Sequence, residues 1–179
     1  MSEKMRSFLS ESTIRVHKEY LSNLHLRYSV LKKSEPRLSD VPLDKIHRLN
    51  LKYDIKREAV MLLSEIKAHE IYFSSFSADC GKYEKIKKKY LSADSLRYEI
   101  LRTARCASFG FLFVLLERGA VRIITRETPP YFTREVPALA LDLCEHAYLL
   151  DYGFHRDEYL RCAVGYLDLS KIEEYLQND

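Results

Sequence analysis

The stretch FGFLFVLLERGAVRIIT, residues 109–125, decides the fold. Aromatic and branched apolar residues run from Phe109 to Leu116, Glu117-Arg118-Gly119 interrupts them, and a second apolar run follows from Ala120 to Thr125. Two such runs around a short breaker predict a β-hairpin with Gly119 in its turn, because tight hairpin turns need the positive φ that glycine supplies. A third strand is expected over 136–141, after the break at Thr128-Pro129-Pro130.

Outward from this sheet the chain reads as helix. Ile14, Leu21, Leu24, Tyr28 and Leu31 recur at spacings of three, four and seven, which predicts an amphipathic helix from Thr13 to about Lys33. Ser10 or Ser12 is placed to cap it. His17, seven before Leu24, falls on the apolar stripe and should face inward. Pro36 and Pro42 break the pattern. A second helix is expected from about Leu43 to Phe73, and its stripe of Leu51, Ile55, Ala59, Leu62, Ile66, His69 and Phe73 turns His69 inward as well. Shorter helices should follow over 82–90 and 95–105 and, beyond Asp142, over 145–151, 157–165 and 169–177. Helices, a small antiparallel sheet and helices again make an α+β fold. Residues 1–78 form the helical hairpin region and 79–179 the α+β region with the three-stranded sheet, expected as one compact unit.

Composition removes several classes of function. A chain of 179 residues has the length of one domain. With 46% hydrophobic and 31% charged residues it has the balance of a globular protein rather than a disordered one. The run from Phe109 to Leu116 falls far short of the ~20 residues that span a bilayer. The opening MSEKMRSFLSES carries no apolar core of a secretion signal, so a cytoplasmic location is expected and no membrane. A net charge of +3 is too small to argue for nucleic acid, and Lys85, Lys87, Lys88 and Lys89 read as a solvated helix face. Cys80, Cys106, Cys144 and Cys162 have no C-x-x-C spacing and are expected as free thiols.

Asp142 and His146 stand four apart at a strand-to-helix junction, where the spacing is expected to bring both side chains to one side of the first helical turn. Carboxylate and imidazole together suit iron, manganese or zinc. The inward His17 and His69 would complete a three-His, one-Asp metal site at the seam between the two regions. A satisfied core histidine is the competing reading at each position.

The residues also resemble a known family. DLCEHAYLLDY, residues 142–152, is similar to the C-terminal signature D-x-W-E-H-A-Y-x-x-D-Y of the iron/manganese superoxide dismutases, and Arg156 and Tyr159 follow at the family's spacing. Thr128-Pro129 and Pro137-x-Leu139-x-Leu141 resemble the strand that leads into that signature. Phe109-Gly110-Phe111-Leu112-Phe113 resembles G-W-x-W-L with Phe for Trp. Ala68-His69-x-x-Tyr72-Phe73 resembles N-H-x-x-Y-W, and His17-Lys18-Glu19-Tyr20-Leu21-Ser22-Asn23-Leu24 resembles H-x-x-Y-V-x-N-L.

The resemblance implies an Fe or Mn ion held by three His and one Asp, superoxide as substrate, dioxygen and hydrogen peroxide as products, and a homodimer. It places His69, Asp142 and His146 on metal ligands and Tyr20 at the substrate funnel. Glu145 falls on a carboxylate that reaches across the dimer interface, and Glu65 on an amide that hydrogen-bonds the metal-bound solvent. Cys144 stands where the family has Trp beside the metal Asp.

The first ligand stays open between two alignments. Without a gap at Tyr20 it falls on Ser12, with Val16 and Leu149 on a His and a Tyr that pair near the interface; matching Thr13-Ile14-x-x-His17 to the family's T-I/L-x-x-H makes it His17. Three functions follow: a divergent dismutase, a non-catalytic protein that keeps the fold as a structural or assembly subunit, and a redox-sensing module using Cys144. The sequence does not choose iron over manganese, because outer residues and metal supply make that choice.

Overall fold

The computed structural model describes residues 4–76, 81–127 and 136–177. Cys80 and the Thr128-Pro129-Pro130 break lie outside the described residues. Helix α1 spans Glu11–Ser34 and begins where Ser10 accepts a hydrogen bond from the Thr13 amide, so Ser10 rather than Ser12 is the cap. It buries Ile14, His17, Leu24, Tyr28 and Leu31, the stripe that the periodicity predicts.

Helix α2, Tyr53–Ser74, starts ten residues later than expected. Leu43–Arg48 forms a separate stretch of 3-10 helix that ends at extended residues, and Ile46 plugs one end of the hairpin. The apolar spacing before Tyr53 therefore reflects burial without α-helix. Helix α2 also buries two faces. Ala59, Leu62, Ile66 and His69 belong to the expected stripe, while Ser64, Ala68, Ile71 and Tyr72 are buried beside them.

Helices α3, Glu84–Tyr90, and α4, Ala93–Arg105, are followed by strands β1, Phe111–Glu117, β2, Ala120–Arg126, and β3, Val136–Asp142. The sheet is antiparallel with the order β2-β1-β3. As the central strand, β1 is buried on both faces from Phe111 to Leu116, which is why its sequence is continuously apolar instead of alternating. The turn between β1 and β2 is two residues long, Arg118 and Gly119, both at positive φ (45° and 72°), the backbone of a type I′ hairpin turn. Pro137 lies on edge strand β3 at a register shift opposite β1 between Val114 and Leu115, the kind of place to which proline is confined in sheets.

Beyond Asp142 the expected helix over 145–151 is broken. Glu145–Ala147 is one 3-10 turn and α5 is only Leu149–Tyr152. Helices α6, Arg156–Gly165, and α7, Ser170–Gln177, close the chain. Among the described residues no helix is long and apolar enough to cross a membrane.

The larger core joins β1 and β3 to α2, α4 and α6 through Tyr72, Ile100, Phe111, Phe113, Leu141 and Tyr159, and burying each such side chain contributes about 1.5–3 kcal/mol. A smaller cluster of Leu24, Tyr28, Leu38, Ile46 and Leu62 holds the far end of the helical hairpin. Buried Ser75 ties α2 to the sheet: its hydroxyl donates to the Ile71 carbonyl (2.8 Å) and accepts from the Ala140 amide (2.9 Å). These contacts hold α2 against β3, so that His69 on the helix faces the end of the strand.

Candidate metal centre

Four side chains meet at the seam: His17 from α1, His69 from α2, Asp142 at the end of β3, and His146 from the 3-10 turn after it. One donor atom from each lies within 4.8 Å of the others. His17, His69 and Asp142 are buried and His146 is half-buried. The hub is Oδ2 of Asp142, which lies 2.8 Å from Nε2 of His146, 3.1 Å from Nε2 of His17 and 3.5 Å from Nε2 of His69. Asp142 and His146 share this side because the backbone turns out of the strand into a 3-10 turn; no α-helical first turn is involved.

The carboxylate and one ring are held from behind. Oδ1 of Asp142 accepts the Cys144 amide (2.9 Å), leaving Oδ2 for the histidines. The Asp142 carbonyl accepts the buried Tyr159 hydroxyl (2.8 Å). Nδ1 of His69 donates to the Glu65 carbonyl (2.7 Å), which puts the proton on Nδ1 and the Nε2 lone pair toward the site.

His17 differs. Its Nε2 has the distance of an ion pair to Asp142 without the angle of a hydrogen bond, and both ring nitrogens are buried without a hydrogen-bond partner. An unpartnered buried polar group costs about 1–3 kcal/mol. Three imidazoles and one carboxylate converging on one point, with an orphaned nitrogen among them, fit a bound Fe, Mn or Zn ion.

The electrostatics agree with that donor set. Burial alone would raise the Asp142 carboxyl, but the hydrogen bond from His146 and the neighbouring His17 and His146 imidazoles hold it far below the usual carboxylate range. Burial disfavours the charged form of His69 and takes its pKa down to about 4. Burial also opposes charge on His146, yet the hydrogen bond and charge of Asp142 outweigh it and raise its pKa.

The other residues singled out in the sequence fall around this cluster. Tyr20, 38% exposed, stacks on His146 with ring centroids 4.5 Å apart and stands at the open side. Burial, then the charges of Glu65 and Asp142, push its phenol pKa up. The Glu65 carboxylate lies 3.8 Å from Nδ1 of His69 and is raised by burial and by Asp142. Cys144 receives the Gly110 amide on its sulfur (3.3 Å), and burial followed by the Asp142 charge takes its thiol up to about 12. Glu145 is exposed on the 3-10 turn. Ser12 is exposed, and its hydroxyl lies 2.8 Å from that of Ser10, away from the four donors. Val16 and Leu149 are exposed apolar residues. His25, His47 and His155 are exposed and belong to no donor group among the described residues.

Sequence reasoning did not assign roles to Tyr72, Phe111, Gly110 or Tyr159. Tyr72 packs its ring 4.8 Å from His17, and Phe111 sets its edge 5.1 Å from His69. Gly110 has φ +91°, and a Cβ there would run into the Arg126 carbonyl oxygen. Its own carbonyl accepts the Leu143 amide (2.8 Å), beside the Asp142 carboxylate. Tyr159 is 17 residues beyond Asp142, so no local spacing announces their hydrogen bond.

A helical hairpin packed on a three-stranded α+β region, with three histidines and one aspartate buried at the seam, defines an α+β protein with a candidate single-ion metal centre. A family model for the C-terminal domain of iron/manganese superoxide dismutases matches residues 81–175, more than half of the chain. The chain belongs to the iron/manganese superoxide dismutase family. The matched part holds Asp142, Cys144, Glu145 and His146, while His17, Tyr20, Glu65 and His69 come from the helical hairpin before it.

Proposed function

We propose that this chain is a superoxide dismutase that binds one iron or manganese ion through His17, His69, Asp142 and His146. The observation that carries the reading is the buried His17 ring, whose two nitrogens have no hydrogen-bond partner, set against a carboxylate and two further histidines in a member of this family. Bound iron or manganese supplies a one-electron couple, through which two superoxide ions and two protons become dioxygen and hydrogen peroxide.

The chain's own residues set the geometry. Cys144 N–H holds the Asp142 carboxylate and the Glu65 carbonyl fixes the His69 tautomer. Tyr72, Phe73 and Phe111 keep apolar surface against the His17 and His69 rings, which excludes water from those sides. On the open side Tyr20 presents a phenol kept protonated by its raised pKa, a hydrogen-bond donor where superoxide enters. Exposed Glu145 follows the strand that ends in Asp142, and Val16, Leu149 and Leu150 expose apolar surface on α1 and α5. This combination supports a homodimer with Glu145 at its interface.

The test is elemental analysis of the purified protein for Fe, Mn and Zn, with superoxide consumption measured on the same sample. Near one Fe or Mn per chain with turnover is the expected result, lost in His17→Ala and kept in Ser12→Ala. Absence of both metal and turnover after reconstitution would leave a superoxide-dismutase fold retained for its surfaces.

A further inference from the structure

Two of the four candidate donors are held from behind by a hydrogen bond, Asp142 by the Cys144 amide and His69 by the Glu65 carbonyl, while His146 meets Asp142 only through the Nε2 it would offer the ion. His17 has none. Its ring rests on Tyr72 and Phe73, so its place depends on where α1 sits along its own axis. Besides its packing on α2 through Leu24, Tyr28 and Leu31, α1 is tied at its N-terminus. The Ser10 amide donates to Oδ2 of Asp151 (2.7 Å), and the Tyr152 hydroxyl donates to the Phe8 carbonyl (2.6 Å). Both partners lie on α5, five and six residues beyond His146. The Asp151 carboxylate also stands at the positive end of the helix dipole, while the Ser10 hydroxyl caps the same turn. Behind these bonds, Met5, Phe8 and Leu9 are buried, and Phe8 stacks on Tyr166 and packs at a tilt against Phe76. His17 lies seven residues into the helix from Ser10, about 10 Å along its axis, a distance a rigid helix transmits.

From this we infer that Asp151 and Tyr152 are positioning residues for the metal centre: a two-point clamp from the segment carrying His146 onto the start of α1 that seats His17 against Asp142. The inference rests on the metal-centre reading above and adds to it how the helical hairpin is aligned with the sheet side of the site.

The experiment measures Co²⁺ affinity of the full-length, metal-stripped protein by competition with a chromophoric chelator, for the wild type, Asp151→Ala, Tyr152→Phe, His17→Ala and the double variant Asp151→Ala/His17→Ala. Glu173→Gln, which loosens a helix cap outside the metal cluster, serves as the stability control. Loss of an outer partner of a metal ligand costs about 10–100-fold in affinity. Asp151→Ala is expected to weaken Co²⁺ binding about tenfold or more. Glu173→Gln leaves it unchanged at a similar loss of Tm, and Asp151→Ala has no further effect once His17 is alanine. Wild-type affinity in both Asp151→Ala and Tyr152→Phe, or an undiminished Asp151→Ala effect in the His17→Ala background, would overturn the clamp. If the wild type binds no Co²⁺, the metal-centre reading fails instead, and the clamp is judged from the His17 imidazole NMR resonances of the metal-free protein. Those resonances should shift in Asp151→Ala while those of His47, at the far end of the helical hairpin, stay still, and an unmoved His17 refutes it.

Discussion

Replacing Asp142 by alanine tests the centre where its geometry is densest. The side chain is fully buried, and its Oδ2 faces three imidazole nitrogens at 2.8, 3.1 and 3.5 Å while Oδ1 takes the Cys144 amide. Truncation removes the only negative charge in the donor group, leaves the Cys144 amide without its acceptor, and leaves the His69 and His146 Nε2 atoms, 3.4 Å apart, only each other to pair with. Removing one partner from a buried charged set costs about 3–5 kcal/mol. With a urea slope near 2 kcal/mol/M, that is a midpoint lower by roughly 1.5–2.5 M for the metal-free protein. Metal content should fall to background, because a three-imidazole site has lost its charge-neutralising ligand. Helical content should stay near normal, since Asp142 ends a strand and caps no helix. Circular dichroism through urea titrations of the metal-free proteins, with elemental analysis of the purified ones, reads both effects. Asp142→Asn separates charge from shape, because the amide oxygen can still accept from Cys144. A midpoint within about 0.5 M of wild type, equivalent to about 1 kcal/mol, or unchanged metal content in Asp142→Ala, would refute the reasoning.

Other outcomes follow from the same geometry. The depressed pKa of His69, about 4 against 6.5 unfolded, means the unfolded chain takes up its proton first as pH falls. The metal-free protein should therefore lose about 3 kcal/mol between pH 6.5 and 4, with Asp142 adding loss at still lower pH. His146, raised by Asp142, acts the other way: its contribution is present below pH 6.5 and is lost as pH rises through its folded value. Urea midpoints across pH check both arms, and an acid slope that survives His69→Gln unchanged would contradict the assignment. Glu173, whose buried carboxylate accepts the Lys85 and Ile86 amides (2.7 and 2.8 Å) at the start of α3, should cost about 1–2 kcal/mol as Glu173→Gln with metal affinity unaltered, read from Tm and Co²⁺ titration. Gly110→Ala forces a Cβ into the Arg126 carbonyl at a positive φ and should destabilise by about 2 kcal/mol or more, while weakening metal binding through the displaced 143–144 backbone. Wild-type Tm in that variant would show that the backbone there relaxes freely.

Much of the site is written in local periodicity. The three-and-four spacing of α1 and α2 turned His17 and His69 inward before any partner was known, and the Asp142–His146 spacing joined two donors across one junction. Those signals survive because a helix face is a property of the chain alone: residues three and four apart share a side wherever the helix ends up. The same signal was blind to the start of α2, since Leu43–Arg48 buries apolar residues in the 3-10 form. It also named one buried stripe on α2 where there are two, because periodicity records that a face is covered and not how many neighbours cover it.

The choice between Ser12 and His17 shows the limit. Sequence spacing supported either, and five residues on a helix are about 7.5 Å of axis, far too much for both to face one ion. The structure brings His17, on the buried stripe of α1, into the donor group and leaves Ser12 on the surface beside the cap, with the start of the helix tied to Asp151 and Tyr152 across the molecule. The Tyr159 bond to Asp142 and the approach of Gly110 to Arg126 belong to the same kind. The sequence by itself determined the order of the helices and strands and one inward face on α1 and α2, though not the 3-10 form of 43–48 and 145–147, since order and faces follow from short-range spacing and backbone preference. The tertiary structure alone decided the register of α1, the central place of β1 and the meeting of the four donors, because those depend on contacts between residues 17 and 142 or 10 and 151, whose separation no local pattern encodes.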